Sequence, residues 1–115
     1  MGTTKENLEA AFAGESMARN KYTYFADAAR KQGYHYIARI FEETAQNEMR
    51  HAKDHFKLLG HLGDTKANLK AAMDGENYET TSMYPEFAEQ ADKEGNKEAA
   101  VLFRQIAKVD RKSVV

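Results

Sequence analysis

The sequence has 115 residues, enough for one modest hydrophobic core, and its 42% hydrophobic with 30% charged content is that of a water-soluble globular chain. A net charge of -1 without Lys/Arg clusters argues against a nucleic-acid or anionic-membrane partner, and no apolar run approaches the ~20 residues of a membrane span. The absence of cysteine excludes disulfides, thiolate zinc and cysteine-ligated iron–sulfur centres from these residues.

Abundant Ala, Glu, Lys and Leu with a single proline favour helix. "TTKE" offers Thr3 as N-cap with Glu6 three residues on, a capping-box pattern, so a first helix is predicted from Thr3 or Thr4 to about Gln32, with Gly33 as the stop. A second is predicted from His35 to Leu59, ended by Gly60. "GHLGDT" (60–65) reads as a turn in which Asp64 caps a short helix, "TKANLKAAMDG" (65–75). A third main helix is predicted over Asn77–Lys93, with Pro85 either kinking it or marking a new start at Tyr84. "EGNK" (94–97) breaks the pattern, and a fourth, shorter helix runs from Asn96 towards the end.

The predicted fold is therefore all-α. It is a ferritin-like four-helix bundle in a single domain, residues 1–115, whose longer crossover connection carries a short helix. An irregular helical domain is the plainer alternative. The polar "MGTTKENLEA" start does not read as a signal peptide, and the expected compartment is a reducing cytoplasm.

The chemistry lies on the helix seams. Alternating steps of four and three along the second helix give Ile37, Phe41, Thr44, Glu48, His51, His55, Leu58 and Leu62, apolar at both ends and polar in the middle. The first helix behaves alike: Leu8, Phe12, Glu15, Arg19, Tyr22, Ala26, Ala29. The fourth gives Ala99, Phe103, Ile106, Asp110 and Ser113. On the third, Met83 and Phe87 fix an apolar face, with Glu86 at its flank and Glu79, Met83, Glu86, Gln90 as one defensible seam.

Ionised carboxylates survive in a core only when paired, hydrogen-bonded or metal-bound. Arg19 alone cannot neutralise such a layer, whereas divalent iron or manganese removes the repulsion, and oxygen and imidazole donors suit both. A single Glu-x-x-His such as Glu48/His51 is more often an exposed pair, and Tyr22 and Phe12 are more often core than cofactor contacts. His55 is expected to be partly buried or to support the ligands, and His35 and His61 to lie at a helix end or in a loop. The coincidence of one polar layer across several helices carries the weight.

The stretches "FAGESMARNKYTYFADAARKQGY" (12–34), "FEETAQNEMRHAKDHFKLLG" (41–60), "NLKAAMDGENYETTSMYPEFAEQADKEG" (68–95) and "AAVLFRQIAKV" (99–109) closely resemble the rubrerythrin/erythrin branch of the ferritin-like di-iron proteins. The resemblance implies two iron ions, replaceable by manganese or zinc. It makes Glu15 a terminal ligand, Glu48 a bridging one, His51 a ligand, and adds Glu86 and Glu89 from the third helix. Glu89 and His51 would exchange at one iron as its oxidation state changes, and Tyr22 would hydrogen-bond near the centre.

The implied activity is reduction of hydrogen peroxide to water in oxidative-stress defence, with Glu48, His51, Glu89 and Tyr22 catalytic. Electrons would come from an external donor, rubredoxin-like or a reductase, since these residues include no cysteine-ligated rubredoxin module. The assembly implied is a homodimer, open to helix exchange. The resemblance departs at "DRKS" (110–113): where the family has a second E-x-x-H, this chain has Asp110, as a shorter substitute ligand, and Ser113. Ferrous-iron oxidation and storage, and a non-catalytic helical assembly module with an incomplete site, are the competing readings.

Overall fold

The computed structural model describes residues 2–113, and side-chain surroundings as far as residue 109. Every regular element is helical: α1 (Thr4–Lys31), α2 (His35–Leu58), α3 (Thr65–Tyr78), a π-helical turn (Glu79–Met83), α4 (Tyr84–Lys93) and α5 (Lys97–Ser113). They form two compact units, Met1–Leu62 and Gly63–Val115. No helix among the described residues is long and apolar enough to cross a membrane.

Local chemistry sets the helix ends. Thr3 Oγ1 accepts from Glu6 N at 3.2 Å while Thr3 N donates to Glu6 Oε1 at 2.9 Å, the expected capping box. At the other end of α1 the chain turns through Gly33 at φ +86°, a conformation that a Cβ disfavours, and Tyr34 N donates back to Ala29 O at 2.9 Å. Asp64 Oδ1 caps α3 by accepting from Ala67 N at 2.9 Å, and Asn96 Oδ1 caps α5 by accepting from Ala99 N at 3.0 Å.

In the first unit, α1 and α2 form a helical hairpin. Its closed seam is made of alanines: Ala26 and Ala29 from α1, and Ala38, Ala45 and Ala52 from α2, at intervals of seven. Small side chains let the two backbones approach, so the seam is tight although no large side chain is fully enclosed. Aromatic groups flank it at two levels. Phe12 packs against Phe56 in a tilted pair at 5.1 Å between centroids, while Tyr22, Phe25 and Phe41 form a second cluster at 5.5–6.0 Å. Arg30 Nη2 pairs with Glu42 Oε1 at 2.5 Å near the turn.

The α1 stripe read from the sequence, Leu8 to Ala29, is buried or half-buried throughout. The α2 stripe is offset by one residue: Ile37, His51, Leu58 and Leu62 are exposed, and the neighbouring alanines 38, 45 and 52 take the seam. Alanine adds little to a hydrophobic pattern but is what close helix contact selects.

In the second unit, α3, the π turn and α4 are continuous, so the expected short helix does not end at Gly75. Only Gly33, Gly60 and Gly95 adopt positive φ among the described glycines, and Gly75 stays helical. Pro85 acts through the turn before it. Lacking an N–H, it cannot bond to the carbonyl four residues back, and the helix widens: Tyr84 N donates to Glu79 O, five residues earlier. Thr81 Oγ1 donates to Asn77 O at 2.6 Å across the same region. The predicted restart at Tyr84 is thus achieved without breaking the rod. Ala88, Ala91 and Ala100 are buried where α4 and α5 meet, beside Tyr84, Phe87 and Phe103. Arg104 Nη2 clamps Asp92 Oδ2 at 2.5 Å. α5 spans 17 described residues, against 28 in α1 and 24 in α2.

Candidate metal centre

Between the two aromatic levels of the first unit lies the polar layer. α1 contributes Glu15, one turn along from Phe12; α2 contributes Glu48, His51 and His55, between Phe41 and Phe56. One ligating atom each from Glu15, Glu48 and His51 falls within 4.8 Å of the others, the one group of three such side chains among the described residues that could hold a metal ion. Glu15 Oε1 stands 3.2 Å from His51 Nδ1, and Glu15 Oε2 stands 2.7 Å from His55 Nε2. The Glu15 side chain is 27% exposed, His55 30% and His51 54%.

Glu15 Oε2 is the telling atom. It is shielded from solvent and accepts no hydrogen bond, although His55 Nε2 stands 2.7 Å away. A shielded carboxylate oxygen without a donor is destabilising unless a cation satisfies it. The surrounding oxygen and imidazole donors match the preferences of iron, manganese and zinc, so the residues present fit a bound divalent metal.

The other sequence-derived candidates are placed as follows. Tyr22 is half-buried in the aromatic cluster, stacked on Phe41 and edge-on to Phe25, seven residues along α1 from Glu15. Glu86 and Glu89 are exposed on α4 in the second unit, where Lys93 Nζ approaches Glu89 Oε1 at 3.8 Å. The side chains of Asp110 and Ser113 lie outside the described residues. His35 opens α2, and His61 lies in the following loop against the Phe56 ring at 5.5 Å. The closeness of His55 to Glu15 is more intimate than the sequence indicated, although its i,i+4 spacing from His51 was the available signal.

Comparison with known proteins bears on the same residues. The family model described as Rubrerythrin matches residues 6–112. The chain is 50% identical over 120 residues to a rubrerythrin of Porphyromonas gingivalis, covering 93% of this chain and 60% of that protein. It is 49% identical over 125 residues to rubrerythrin-1 of Clostridium acetobutylicum, covering 94% and 64%. Among solved structures it is similar to nigerythrin in a fully reduced, all-ferrous state, with a TM-score of 0.52 and 40% identity over 96% of this chain and 61% of that one. The chain thus spans about three fifths of the length of these relatives. The all-helical, ferritin-like fold class expected from the sequence is the one it shares with nigerythrin.

Proposed function

The chain belongs to the rubrerythrin family of di-iron oxidoreductases, and we propose from this premise that it reduces hydrogen peroxide to water at a two-iron centre built on Glu15, Glu48 and His51. The observation that carries the reading is the convergence of those three side chains, with one ligating atom of each within 4.8 Å of the others. Ferrous iron, when bound, supplies the two electrons that with two protons turn one peroxide into two waters.

The chain's own residues have separable tasks. Glu15 and Glu48 would hold the metal from the two helices of the hairpin and offset its cationic charge. His51 Nδ1 faces the Glu15 carboxylate, where an imidazole can join or leave the donor set. Phe12 and Phe56 on one side, and Tyr22, Phe25 and Phe41 on the other, flank the layer along the seam. The Tyr22 hydroxyl is proposed to hydrogen-bond near the centre. Glu86, Glu89 and Asp110 are proposed as further ligands on the family resemblance alone, and the proposed assembly is a homodimer open to helix exchange and fed by an external electron donor.

Anaerobic reconstitution with ferrous iron, followed by peroxide, tests the reading. Binding of two irons per site and stoichiometric peroxide-dependent oxidation are expected. Metal uptake without peroxide reactivity refutes the peroxidase assignment, and preferential oxidation by dioxygen with growth of a mineral core replaces it with iron storage.

A further inference from the structure

Glu15 is flanked by two imidazoles. Its Oε1 lies 3.2 Å from His51 Nδ1 and its Oε2 lies 2.7 Å from His55 Nε2. Side chains three and four apart on a helix share a face, so α2 presents Glu48, His51 and His55 in succession to the carboxylate of α1. The His55 contact does not satisfy Glu15 as a hydrogen bond, since Oε2 remains shielded and without a partner. Two donors on one cation, each about 2.1 Å from it, sit roughly 3.0–3.4 Å apart in octahedral or tetrahedral geometry. The His51 contact falls within that spacing; the His55 contact, at 2.7 Å, is shorter than it, so ligation has to lengthen that contact.

There is also a deficit to fill. The resemblance calls for a second E-x-x-H on the fourth helix, and the sequence has Ser113 in place of its histidine. We propose that His55 supplies the second imidazole: it is a metal ligand with Glu15, Glu48 and His51, and the α1–α2 hairpin holds a divalent transition-metal ion through two carboxylates and two imidazoles of its own. Two carboxylates balance the charge of one divalent cation, so the layer becomes neutral without any contribution from α4 or α5. The group within 4.8 Å does not include His55, and ligation asks its ring to turn towards that group about bonds that are free to rotate. The inference rests on the reading of this layer as a metal centre.

Cobalt(II) is the probe, added to the full chain after chelator treatment, with a competing chelator to measure affinity and proton NMR to count hyperfine-shifted imidazole N–H signals. The wild type is expected to show such signals from two histidines. His55→Leu is expected to keep its helical circular dichroism, show a signal from one histidine, and bind cobalt more than about tenfold more weakly. His55→Gln should lose as much, because its amide can hydrogen-bond Glu15 but is a poor ligand; full affinity in that variant overturns the proposal in favour of a positioning role. The Glu86→Gln, Glu89→Gln double variant should keep one cobalt with both imidazole signals, and its loss of that site overturns the claim that the hairpin suffices. A single imidazole signal in the wild type also overturns it. Peroxide reactivity is read separately with iron: reactivity with one imidazole sinks this inference and leaves the proposed activity standing, and two imidazoles without reactivity do the reverse.

Discussion

Replacing Glu15 by leucine should raise the stability of the metal-free protein and abolish its stabilisation by metal. A buried polar atom left without a partner costs roughly 1–3 kcal/mol. Oε2 meets that description, but the side chain as a whole is 27% exposed, so the lower end applies. Leucine is similar in size, removes the charge and adds apolar contact beside Phe12. A gain of about 1 kcal/mol is expected without metal, or about 3–5 °C in Tm for a chain of this size. With metal at 100 times its Kd the wild type gains about 2.7 kcal/mol, and the variant gains little.

Thermal melts by circular dichroism, with chelator and with anaerobic ferrous iron, read both effects. The signs are opposite, and that is the diagnostic. If Glu15→Leu lowers Tm without metal and leaves the metal-induced shift intact, the carboxylate serves as an ion-pair partner of His51 and His55. The metal-centre reading then fails.

Ala45→Leu should cost about 1–3 kcal/mol by forcing α1 and α2 apart at their closed seam, measured as a lower urea midpoint; an unchanged midpoint would show that the seam is slack. Gly33→Ala should lower stability by about 1–2 kcal/mol, because position 33 holds φ +86° while space around it is open, leaving backbone conformation as the cause. The hydrogen bond from Arg104, aided by its charge and that of Lys97, holds the Asp92 carboxyl below its usual value. A lowered folded value means that the contribution is complete above the ordinary carboxylate range and is lost as pH falls through the lowered value. Asp92→Asn should therefore reduce Tm at neutral pH and converge with wild type in acid. A constant difference across that range would refute this source of the pH dependence.

Much of the fold was legible because its signals are local. Thr3 with Glu6, Asp64 and Asn96 each name a helix start through a side chain within three residues of the N–H that it caps, and Gly33 and Gly60 name the stops through positive φ. Gly75 misled because a helical glycine and a terminating glycine are the same letter; only the backbone angle separates them. The π turn before Pro85 depends on how one missing donor is absorbed across several carbonyls, which no single-residue preference records. The polar layer of Glu15, Glu48 and His51 followed from helical periodicity. The α1 half of the alanine seam, Ala26 and Ala29, followed as well; Ala38, Ala45 and Ala52 on α2 did not, because their value lies in the distance between two backbones. Glu89 came only through resemblance, since neither its exposure nor its spacing distinguishes it from other surface glutamates.

The π turn between α3 and α4 has a consequence for how this rod tolerates change in length. A turn closed from residue 84 to residue 79 holds one residue more than an α-helical turn would. Deleting a single residue from 79–83 would let the rod close as uninterrupted α-helix with Tyr84 still bonded over Glu79, so all that follows would keep its orientation relative to α3. Glu86 and Glu89 would stay on the same side, with α3 and α4 still helical. Residues 79–83 therefore act as a slack turn, in which one residue is taken up by widening and without the rotation of about 100° that it would impose on a continuous α-helix.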